Sequence, residues 1–393
     1  MNILIYGGSF NPPHKGHLNA ARNAVAELKP DKLLVIPDCQ PPHKTMSEDA
    51  PTPEQRMELC RIAFAEVPKA EVSDIEILRG GKSYTSDTLR ALRERWPEAR
   101  FTMLVGADML RTIDAWHDAD YILRTAAIAA VSRNRGEQAS LRLKASALRH
   151  SHGAEVRLIA ARPLPASSTE LRSALGTRGG LRMVPEREYA FIVKHRLYGV
   201  KINFRWLRKQ GYAMLKPTRI PHVRGCEEEA RKLAARWGAD PDQAAEAAIL
   251  HDCTKKEDLA GQLRLCEKYG IIPDEMERVS GKLLHSKTGA AIAEREFGLT
   301  PEAVSAICWH TTGKADMTLL EKIIYMADYI EPNRDFEGVE PLRALAYQDL
   351  DAAMLLGLEM SRDEIRARGE RPHVNTLDAI RWLRENRNER ESL

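Results

Sequence analysis

Two histidines near the start of the chain stand in a setting that suits phosphate chemistry. An apolar run leads into the segment Gly7-Gly8-Ser9-Phe10-Asn11-Pro12-Pro13-His14-Lys15-Gly16-His17, whose paired glycines let the backbone turn tightly and approach a ligand. His14 and His17 fall three residues apart where a helix is expected to begin, so both rings share one face. Imidazole donors and the N–H groups of a helix start suit the charge that builds on an α-phosphate during in-line displacement. Lys15 and Lys44 add positive charge.

A second segment with phosphate-binding character is Ser167-Ser168-Thr169-Glu170-Leu171-Arg172. Its first serine is placed to cap a helix, with the glutamate three residues later reaching back in a capping box, which leaves Ser168, Thr169 and Arg172 for phosphate. Alone, such a segment is usually only a cap, and two histidines at this spacing are usually a solvated helix face. Together the two segments predict an adenylyltransferase, which positions and neutralises phosphates and needs no nucleophilic side chain.

The two segments, with the H-x-G-H core at 14–17, resemble the paired signatures of the nucleotidyltransferase superfamily. Further matches narrow the resemblance to bacterial nicotinate mononucleotide adenylyltransferases: Pro41-Pro42-His43-Lys44, Ser83-Tyr84-Thr85-Ser86-Asp87-Thr88-Leu89, Gly106-Ala107-Asp108 and Trp116. Relatives with the same core use pantetheine phosphate or another nucleotide, and the 41–44 loop and the Tyr84-Thr85 segment argue against these. The resemblance covers roughly residues 1–199, with a departure at 133–136, where Arg-Asn-Arg-Gly replaces the usual Arg-Pro-Gly.

This resemblance implies a set of site residues for ATP, with Mg²⁺ bridging its phosphates, and for nicotinate mononucleotide. The residues implied for ATP are Gly8, Ser9, Phe10, His14, His17, Gly106, Asp108, Ser168, Thr169 and Arg172. Those implied for nicotinate mononucleotide are Lys44, Tyr84, Thr85, Trp116 and Arg133. The catalytic groups among them are His14, His17, Lys44 and Arg172.

In the second half, histidines and aspartates indicate a metal site. His251-Asp252 ends an apolar helical pattern, and Asp328 lies inside another, where an unpaired carboxylate is costly unless a metal or a cation partners it. The other candidate ligands are His222, expected just before a helix, His285 and His310. Imidazole and carboxylate ligands suit iron, manganese or zinc, and no cysteine is expected to join them.

The order of these ligands resembles the metal-binding HD phosphohydrolase superfamily, with His285 and His310 as the ligands that two-metal members add. Two segments narrow the resemblance to the bacterial HD family that splits diadenosine tetraphosphate symmetrically into two ADP: His310-Thr311-Thr312-Gly313 and Ala327-Asp328-Tyr329-Ile330-Glu331-Pro332-Asn333-Arg334. The match covers about residues 205–385 and implies a two-metal iron or manganese site that activates a bridging water. It implies polyphosphate contacts from Lys255, Lys256 and Arg334, with Lys255 catalytic.

Two other hypotheses stay open for this half. In the first hypothesis this half cleaves a different nucleotide, such as a guanosine polyphosphate or a deoxynucleotide. In the second it is a non-catalytic nucleotide sensor that regulates the adenylyltransferase. The complete ligand set disfavours the sensor, because a binding module does not need every metal ligand.

The elements that position these residues differ between the two halves. Short apolar runs alternate with helical patterns in the first half, at 2–6, 33–36, 101–105 and 126–131 against 18–28 and 54–66. This alternation predicts an α/β domain, a Rossmann-like nucleotidyltransferase fold with a mostly parallel sheet, over 1–199. Beyond it every segment is helical, which predicts an all-α HD domain over 205–385. We expect a loop between Pro41 and Pro53 and fraying from Arg384 to Leu393.

Composition limits the classes of function. With 393 residues the chain is long enough for two domains, and its net charge of +3, with both signs interleaved, argues against nucleic-acid binding. No run reaches the ~18–20 apolar residues of a membrane span, and the chain enters an apolar strand without a leader, so we expect a cytoplasmic protein. Six cysteines without a C-x-x-C pair indicate reduced packing thiols. The oligomeric state stays open, with a homo-oligomer allowed.

Overall fold

The computed structural model describes residues 1–42, 50–132, 135–160, 164 and 166–391, without the side chains of 135 and 387–391. It divides into two compact units, Met1–Lys201 and Ile202–Leu393. The predicted site residues Lys44 and Arg133 and most of the expected loop lie outside the described residues. Within the described part, no helix has the length and apolar character to cross a membrane.

The first unit is built on one sheet whose described strands all pair in parallel. The strands are β1 Asn2–Gly8, β2 Lys32–Pro37, β3 Ala70–Val72, β4 Arg100–Gly106, β5 Ala126–Val131 and β6 Val156–Ile159. Their order is β3-β2-β1-β4-β5-β6, so the chain reverses direction across the sheet between β1 and β4. In such sheets ligands bind at the carboxyl ends of the strands beside this switch point. The predicted Rossmann-like fold is confirmed, and the unpredicted strands β3 and β6 are the short edges.

Helices cover both faces of this sheet, because alternate residues of β1 enter opposite cores. Ile3 and Ile5 pack into one core and Leu4 and Tyr6 into the other. The helices of the unit are α1 Lys15–Leu28, α2 Pro53–Phe64, α3 Ile75–Arg79, α4 Thr85–Arg95, α5 Ala107–Thr112, α6 Ala119–Thr125, α7 Gln138–His152, α8 Ser168–Leu175 and α9 Glu186–Lys194.

The second unit is helical throughout its described residues, as predicted. Its helices are α10 Phe204–Ala213, α11 Ile220–Trp237, α12 Pro241–Leu250, α13 Leu259–Tyr269, α14 Gly281–Arg295, α15 Pro301–Trp309, α16 Leu319–Ile330, α17 Val339–Gln348, α18 Leu350–Ala367 and α19 Val374–Glu391. Helix α12 begins at the Asp240 cap, and its alanines let it lie buried along its length from Ala244 to Leu250. It therefore delivers its carboxyl end, where His251 and Asp252 follow, into the interior of the unit.

Two details of the helices differ from the sequence prediction. His222 lies in the first turn of α11 rather than before a helix. The polar segment after Arg384 continues α19 to Glu391 instead of fraying from its start, because the helix is anchored by buried Ala379, Ile380 and Leu383 just before it.

Candidate active sites

His14 and His17 form a reciprocal cap at the start of α1. The Gly16 N–H donates to Nδ1 of His14 over 3.1 Å, and the His14 N–H donates to Nδ1 of His17 over 3.2 Å. Each neutral ring therefore carries its proton on Nε2, which makes that nitrogen a donor. The rings stack with centroids 3.7 Å apart, so the two donors belong to one surface. This arrangement suits hydrogen bonding to a phosphate.

Gly16 is required between the histidines by close packing. A Cβ at this position would lie 2.8 Å from Nδ1 of His14 and 3.3 Å from the Leu164 carbonyl oxygen, so any side chain would displace the ring.

The side chain of Phe10, a residue predicted at the ATP site, lies in the core rather than at the surface. Its ring is buried in the core against His17, with centroids 5.2 Å apart, so it supports that ring from the protein side.

The second phosphate segment meets the first although more than 150 residues separate them. Ser168 Oγ at the start of α8 donates to the Pro12 carbonyl over 2.8 Å, and Arg172 Nη1 donates to the Asn11 carbonyl over 2.6 Å. A second Arg172 nitrogen, Nη2, donates to Thr169 Oγ1 over 3.2 Å. Ser167 caps α8 in the predicted capping box. Positive charge and N–H donors are thus concentrated at one place, where the starts of two helices, the two histidines and Arg172 lie together.

A cavity of about 190 Å³ opens at the carboxyl ends of β1, β2 and β4, and Gly7, Gly8 and Ser9 at the start of the histidine segment form part of its wall. Its walls include Gly8, Ser9, Tyr84, Thr85 and Trp116 from the predicted set, together with Pro41, Pro42, Glu76 and His117. No side chain caps the start of α4 at Tyr84, which suits the capture of an anionic group by backbone N–H groups. Gly106 ends β4 and caps α5, while Asp108 on α5 pairs with Arg111 at 3.0 Å.

Sequence reasoning missed the groups that hold this cavity in shape. Arg56, 1% exposed, forms an ion pair with Asp38 at 2.9 Å and donates to the carbonyls of Ser9, Asp38 and Cys39. Ser9 Oγ donates to the other Asp38 oxygen over 2.8 Å. The guanidinium thereby fixes the loops that follow β1 and β2. The available signal was Asp38 at the end of an apolar strand, while Arg56 in an amphipathic helix gave none.

A carboxyl of the first unit lies buried with no hydrogen-bond partner in the part of the chain that the structure describes. Neither oxygen of Glu188 on α9 has a hydrogen-bond partner among the described residues, and the residue is 0% exposed. Burial raises the pKa of Glu188 well above its ordinary value. Burial therefore favours the protonated form of this carboxyl.

In the second unit the predicted metal ligands converge on one point. His222 Nε2 lies 2.9 Å from Asp328 Oδ1 and 3.4 Å from His251 Nε2. The nitrogens Nε2 of His285 and His310 lie 3.1 Å apart, and His285 Nε2 is 3.1 Å from Asp252 Oδ1. The other Asp252 oxygen, Oδ2, faces His251 Nε2 at 3.4 Å. Asp252 therefore joins two groups of donors through its two oxygens.

The backbone fixes which nitrogen of each ring faces the cluster. In three of the rings the Nδ1–H donates to the carbonyl three residues earlier at 2.7 Å: His251 to Ala248, His285 to Lys282 and His310 to Ile307. The Nε2 atom of each ring therefore faces the cluster, where it presents a lone pair when the ring is neutral and donates a proton when the ring is charged. Lone pairs on imidazole and two carboxylates at this separation are what a pair of divalent transition-metal ions needs.

His222 is oriented instead by a carboxylate. Glu331, 1% exposed, accepts from His222 Nδ1 over 3.1 Å. The Asn333 backbone N–H and Nδ2 both donate to the second Glu331 oxygen, over 2.7 and 2.8 Å. Gly225, one turn from His222 on α11, leaves the room for this carboxylate. The predicted Glu331-Pro332-Asn333 segment thus supports a ligand from behind, a role that its motif alone did not reveal.

The charges in the cluster suit metal binding at neutral pH. Burial alone would raise the pKa of Asp252, but the neighbouring His251, His285 and His310 hold it well below the ordinary value. The His222 bond does the same for Asp328 against its burial. Burial lowers the pKa of His285 to about 4. The carboxylates are therefore ionised while His285 is neutral.

Cationic side chains surround the two carboxylates. Lys255 Nζ lies 3.0 Å from Asp252 Oδ1, and Arg334 Nη2 donates to Asp328 Oδ1 over 2.8 Å, so both predicted polyphosphate-binding residues lie at the candidate metal ligands. Lys256 is placed elsewhere, because its exposed side chain donates to the Ala213 carbonyl. Arg219, which sequence reasoning missed, donates from Nε to Asp252 Oδ2 over 2.5 Å. Its position three residues before His222 was the available signal.

A cysteine also adjoins the cluster, contrary to expectation. Cys226 lies one helical turn after His222 on α11, and its Sγ is 3.3 Å from His222 Nε2.

A separate group of possible ligands consists of Asp274, Glu277 and His373, and its side chains have protein partners. His373 Nε2 donates to Asp274 over 2.8 Å, and Lys287 pairs with Glu277 at 2.6 Å. Through these contacts the group joins two segments of the chain.

Comparison with known families gives one match in each half of the chain. The family described as cytidylyltransferase-like matches residues 5–174, and the HD domain family matches residues 219–333.

Three relatives span these regions. A protein of Gemmatimonas aurantiaca named probable nicotinate-nucleotide adenylyltransferase is 35% identical over 200 residues, 50% of this chain and 92% of the relative. The symmetrical bis(5'-nucleosyl)-tetraphosphatase of Bacillus subtilis is 38% identical over 169 residues, 42% of this chain and 89% of the relative. A Mycoplasma pneumoniae protein named probable nicotinate-nucleotide adenylyltransferase/Ap4A hydrolase is 27% identical over 366 residues, covering 91% of this chain and 98% of the relative.

Proposed function

The first half of the chain belongs to the nicotinate-nucleotide adenylyltransferase family and the second half to the symmetrical bis(5'-nucleosyl)-tetraphosphatase family with its HD domain, and from this premise we propose a bifunctional enzyme. The first half transfers adenylate from ATP to nicotinate mononucleotide, and the second hydrolyses diadenosine tetraphosphate to two ADP. Two separate sets of convergent catalytic groups, one in each unit, are the observation that carries this proposal.

In the first half the phosphate of the mononucleotide attacks the α-phosphorus of ATP, and pyrophosphate leaves. His14 and His17 donate from Nε2 to oxygens of the phosphate chain, and Arg172 with the start of α8 adds positive charge where the leaving group departs. Magnesium carried on the ATP phosphates supplies further charge neutralisation when bound. The protein contributes orientation and electrostatic stabilisation, the main terms in this class of reaction.

The cavity at the carboxyl ends of β1, β2 and β4 fits the pyridine ring of the mononucleotide. Trp116 gives an aromatic face for the ring, and the start of α4 at Tyr84 and Thr85 offers backbone N–H groups to a carboxylate. A helix start favours an anion over a neutral amide because of its positive partial charge. This arrangement supports nicotinate rather than nicotinamide as the base.

In the second half the donors divide into two neighbouring metal positions. His222, His251, Asp328 and Asp252 Oδ2 would hold one ion, and His285, His310 and Asp252 Oδ1 the other. Iron or manganese suits this nitrogen and oxygen set, and such a pair supplies an activated water and charge at the attacked phosphate. Lys255 and Arg334 hold the polyphosphate at the metal ligands. Cleavage of another nucleotide remains the second candidate for this half.

Metal analysis of the purified chain followed by two product assays tests the proposal. With ATP, Mg²⁺ and nicotinate mononucleotide we expect nicotinate adenine dinucleotide and pyrophosphate. With diadenosine tetraphosphate and the native metal we expect ADP as the single nucleotide product, because cleavage is symmetrical. ATP and AMP as products would contradict the symmetrical assignment, and hydrolysis that survives complete chelation would contradict the metal site.

A further inference from the structure

Arg219 occupies a position in the second unit that its contacts only partly use. It lies in the turn Pro217–Arg219 just before α11, with its side chain 26% exposed. The Nε atom donates to Asp252 Oδ2 over 2.5 Å. The Nη2 atom is buried, has no hydrogen-bond partner among the described residues, and lies 3.8 Å from Asp328 Oδ1, beyond hydrogen-bonding distance. One end of the guanidinium is therefore held while a buried donor at the other end is free.

The charges around Arg219 indicate which kind of ligand this free donor binds. The described contacts set three carboxylates against three cationic side chains: Asp252, Asp328 and Glu331 against Arg219, Lys255 and Arg334. The three negative and three positive charges cancel. Each divalent ion bound by the cluster therefore adds two uncompensated positive charges. A polyphosphate is the anion that offsets such an excess, and guanidinium N–H groups match its oxygens in geometry.

We propose that Arg219 is a phosphate-binding residue of the hydrolase site, whose Nη2 donates to a non-bridging oxygen of the polyphosphate while Nε continues to hold Asp252. This inference rests on the proposed hydrolase function. It adds a substrate contact from a residue outside the two segments, 310–313 and 327–334, that resemble the hydrolase family. Because Nε and Nη2 act on different partners, the planar fork matters as well as the charge. A lysine would retain the charge but could not make both contacts.

A residue that only supports Asp252 would behave differently from one that also binds phosphate. If Arg219 served the metal ligand alone, its loss would lower the metal content, and phosphate affinity would fall only as far as metal was lost. A phosphate-binding Arg219 gives the opposite pattern, in which metal is retained and affinity for phosphate falls. The two roles therefore separate when metal and anion binding are measured on the same variant.

The experiment compares the full-length wild type, Arg219→Ala, Arg219→Lys and Arg236→Gln. Arg236→Gln is the control, because it also removes an arginine charge from the α11 region but at the far end of that helix, where the side chain is exposed and donates to the Tyr347 carbonyl. Bound metal is measured first by elemental analysis. Calorimetry with inorganic tripolyphosphate follows, and only differences between variants count, since the first unit is the same in all of them.

We expect Arg219→Ala to keep its metal and to lose about ten- to a hundredfold in tripolyphosphate affinity at the hydrolase site, the value of a hydrogen bond between charged groups. Arg219→Lys should recover only part of this loss. Added guanidinium ion should restore part of the hydrolysis by Arg219→Ala, and Arg236→Gln should match the wild type. Unchanged tripolyphosphate affinity in Arg219→Ala, or a loss that follows its metal content, would overturn the assignment.

These results also distinguish this inference from the proposed function. A metal-loaded wild type that leaves diadenosine tetraphosphate intact would refute that substrate. The calorimetric difference between wild type and Arg219→Ala would still decide whether Arg219 binds phosphate, because tripolyphosphate binding requires no turnover.

Discussion

Replacing Gly225 by alanine tests whether the carboxylate behind His222 matters for the metal site. The added Cβ would lie 2.1 Å from Glu331 Oε2 and 3.0 Å from Asn333 Nδ2, so the carboxylate must move. It is the end of a flexible side chain, but it is buried and bonded to His222 and twice to Asn333. Movement therefore breaks hydrogen bonds rather than displacing solvent.

The magnitude follows from two opposing terms. Alanine is favoured over glycine inside a helix by about 0.5–1 kcal/mol. Loss of one hydrogen bond to a charged group costs about 1.5–3 kcal/mol, which exceeds that gain. The expected net destabilisation of the second unit is about 1–2 kcal/mol. Since His222 also loses the partner that orients it, metal affinity should fall about ten- to a hundredfold.

Gly357→Ala in α18 is the matched control. A Cβ there would meet no atom closer than 3.5 Å, which is ordinary contact, so this variant should be as stable as the wild type or slightly more stable. Denaturant unfolding and metal titration on both variants give the comparison. If Gly225→Ala bound metal as tightly as the wild type and showed no loss of stability, the role given to Glu331 would be wrong.

Three further predictions concern the first unit. His17→Ala should fold normally and lose roughly a hundredfold in adenylyl transfer, the cost of one transition-state donor, and undiminished turnover would refute the role of the H-x-G-H segment. The kcat/KM for nicotinate mononucleotide should exceed that for nicotinamide mononucleotide, and equal values would rule out carboxylate capture at α4. Burial raises the pKa of Glu188 well above its ordinary value of about 4.3, so the contribution of this carboxyl to stability is fullest below that pH and falls by about 1.4 kcal/mol per pH unit as the pH rises towards the folded pKa. Glu188→Gln should remove this contribution to the slope in thermal unfolding of the unit, with little difference from the wild type near pH 4, and an unchanged slope would contradict a raised pKa at Glu188.

The fold was predictable where the sequence pattern had one interpretation. Interior strands such as β1 and β4 are continuous apolar runs, and the helices of the second half carry regular apolar spacing. The edge strands β3 and β6 were missed because three or four residues give too short a pattern. The polar end of α19 was misjudged because the anchoring contacts lie earlier in the helix.

The candidate sites were predictable as sets of ligands but not as supporting structures. His222, His251 and Asp328 can be recognised by residue type and order along the chain. Arg56 and Arg219 cannot, because an arginine in a helix or a turn has many ordinary explanations and only the fold shows which carboxylate it meets. Their partners lie 18 and 33 residues away in sequence, and no local periodicity records such a contact.

The central claim is that one chain carries two complete and chemically separate active sites. The most direct test is to assay both reactions on wild type and Asp252→Ala at equal folded concentration, with magnesium present for adenylyl transfer. Asp252 joins the two groups of metal donors, so its loss should abolish hydrolysis of diadenosine tetraphosphate. Adenylyl transfer should remain at the wild-type rate, since its groups all lie in the first unit. A parallel fall of both activities in a correctly folded variant would contradict the account.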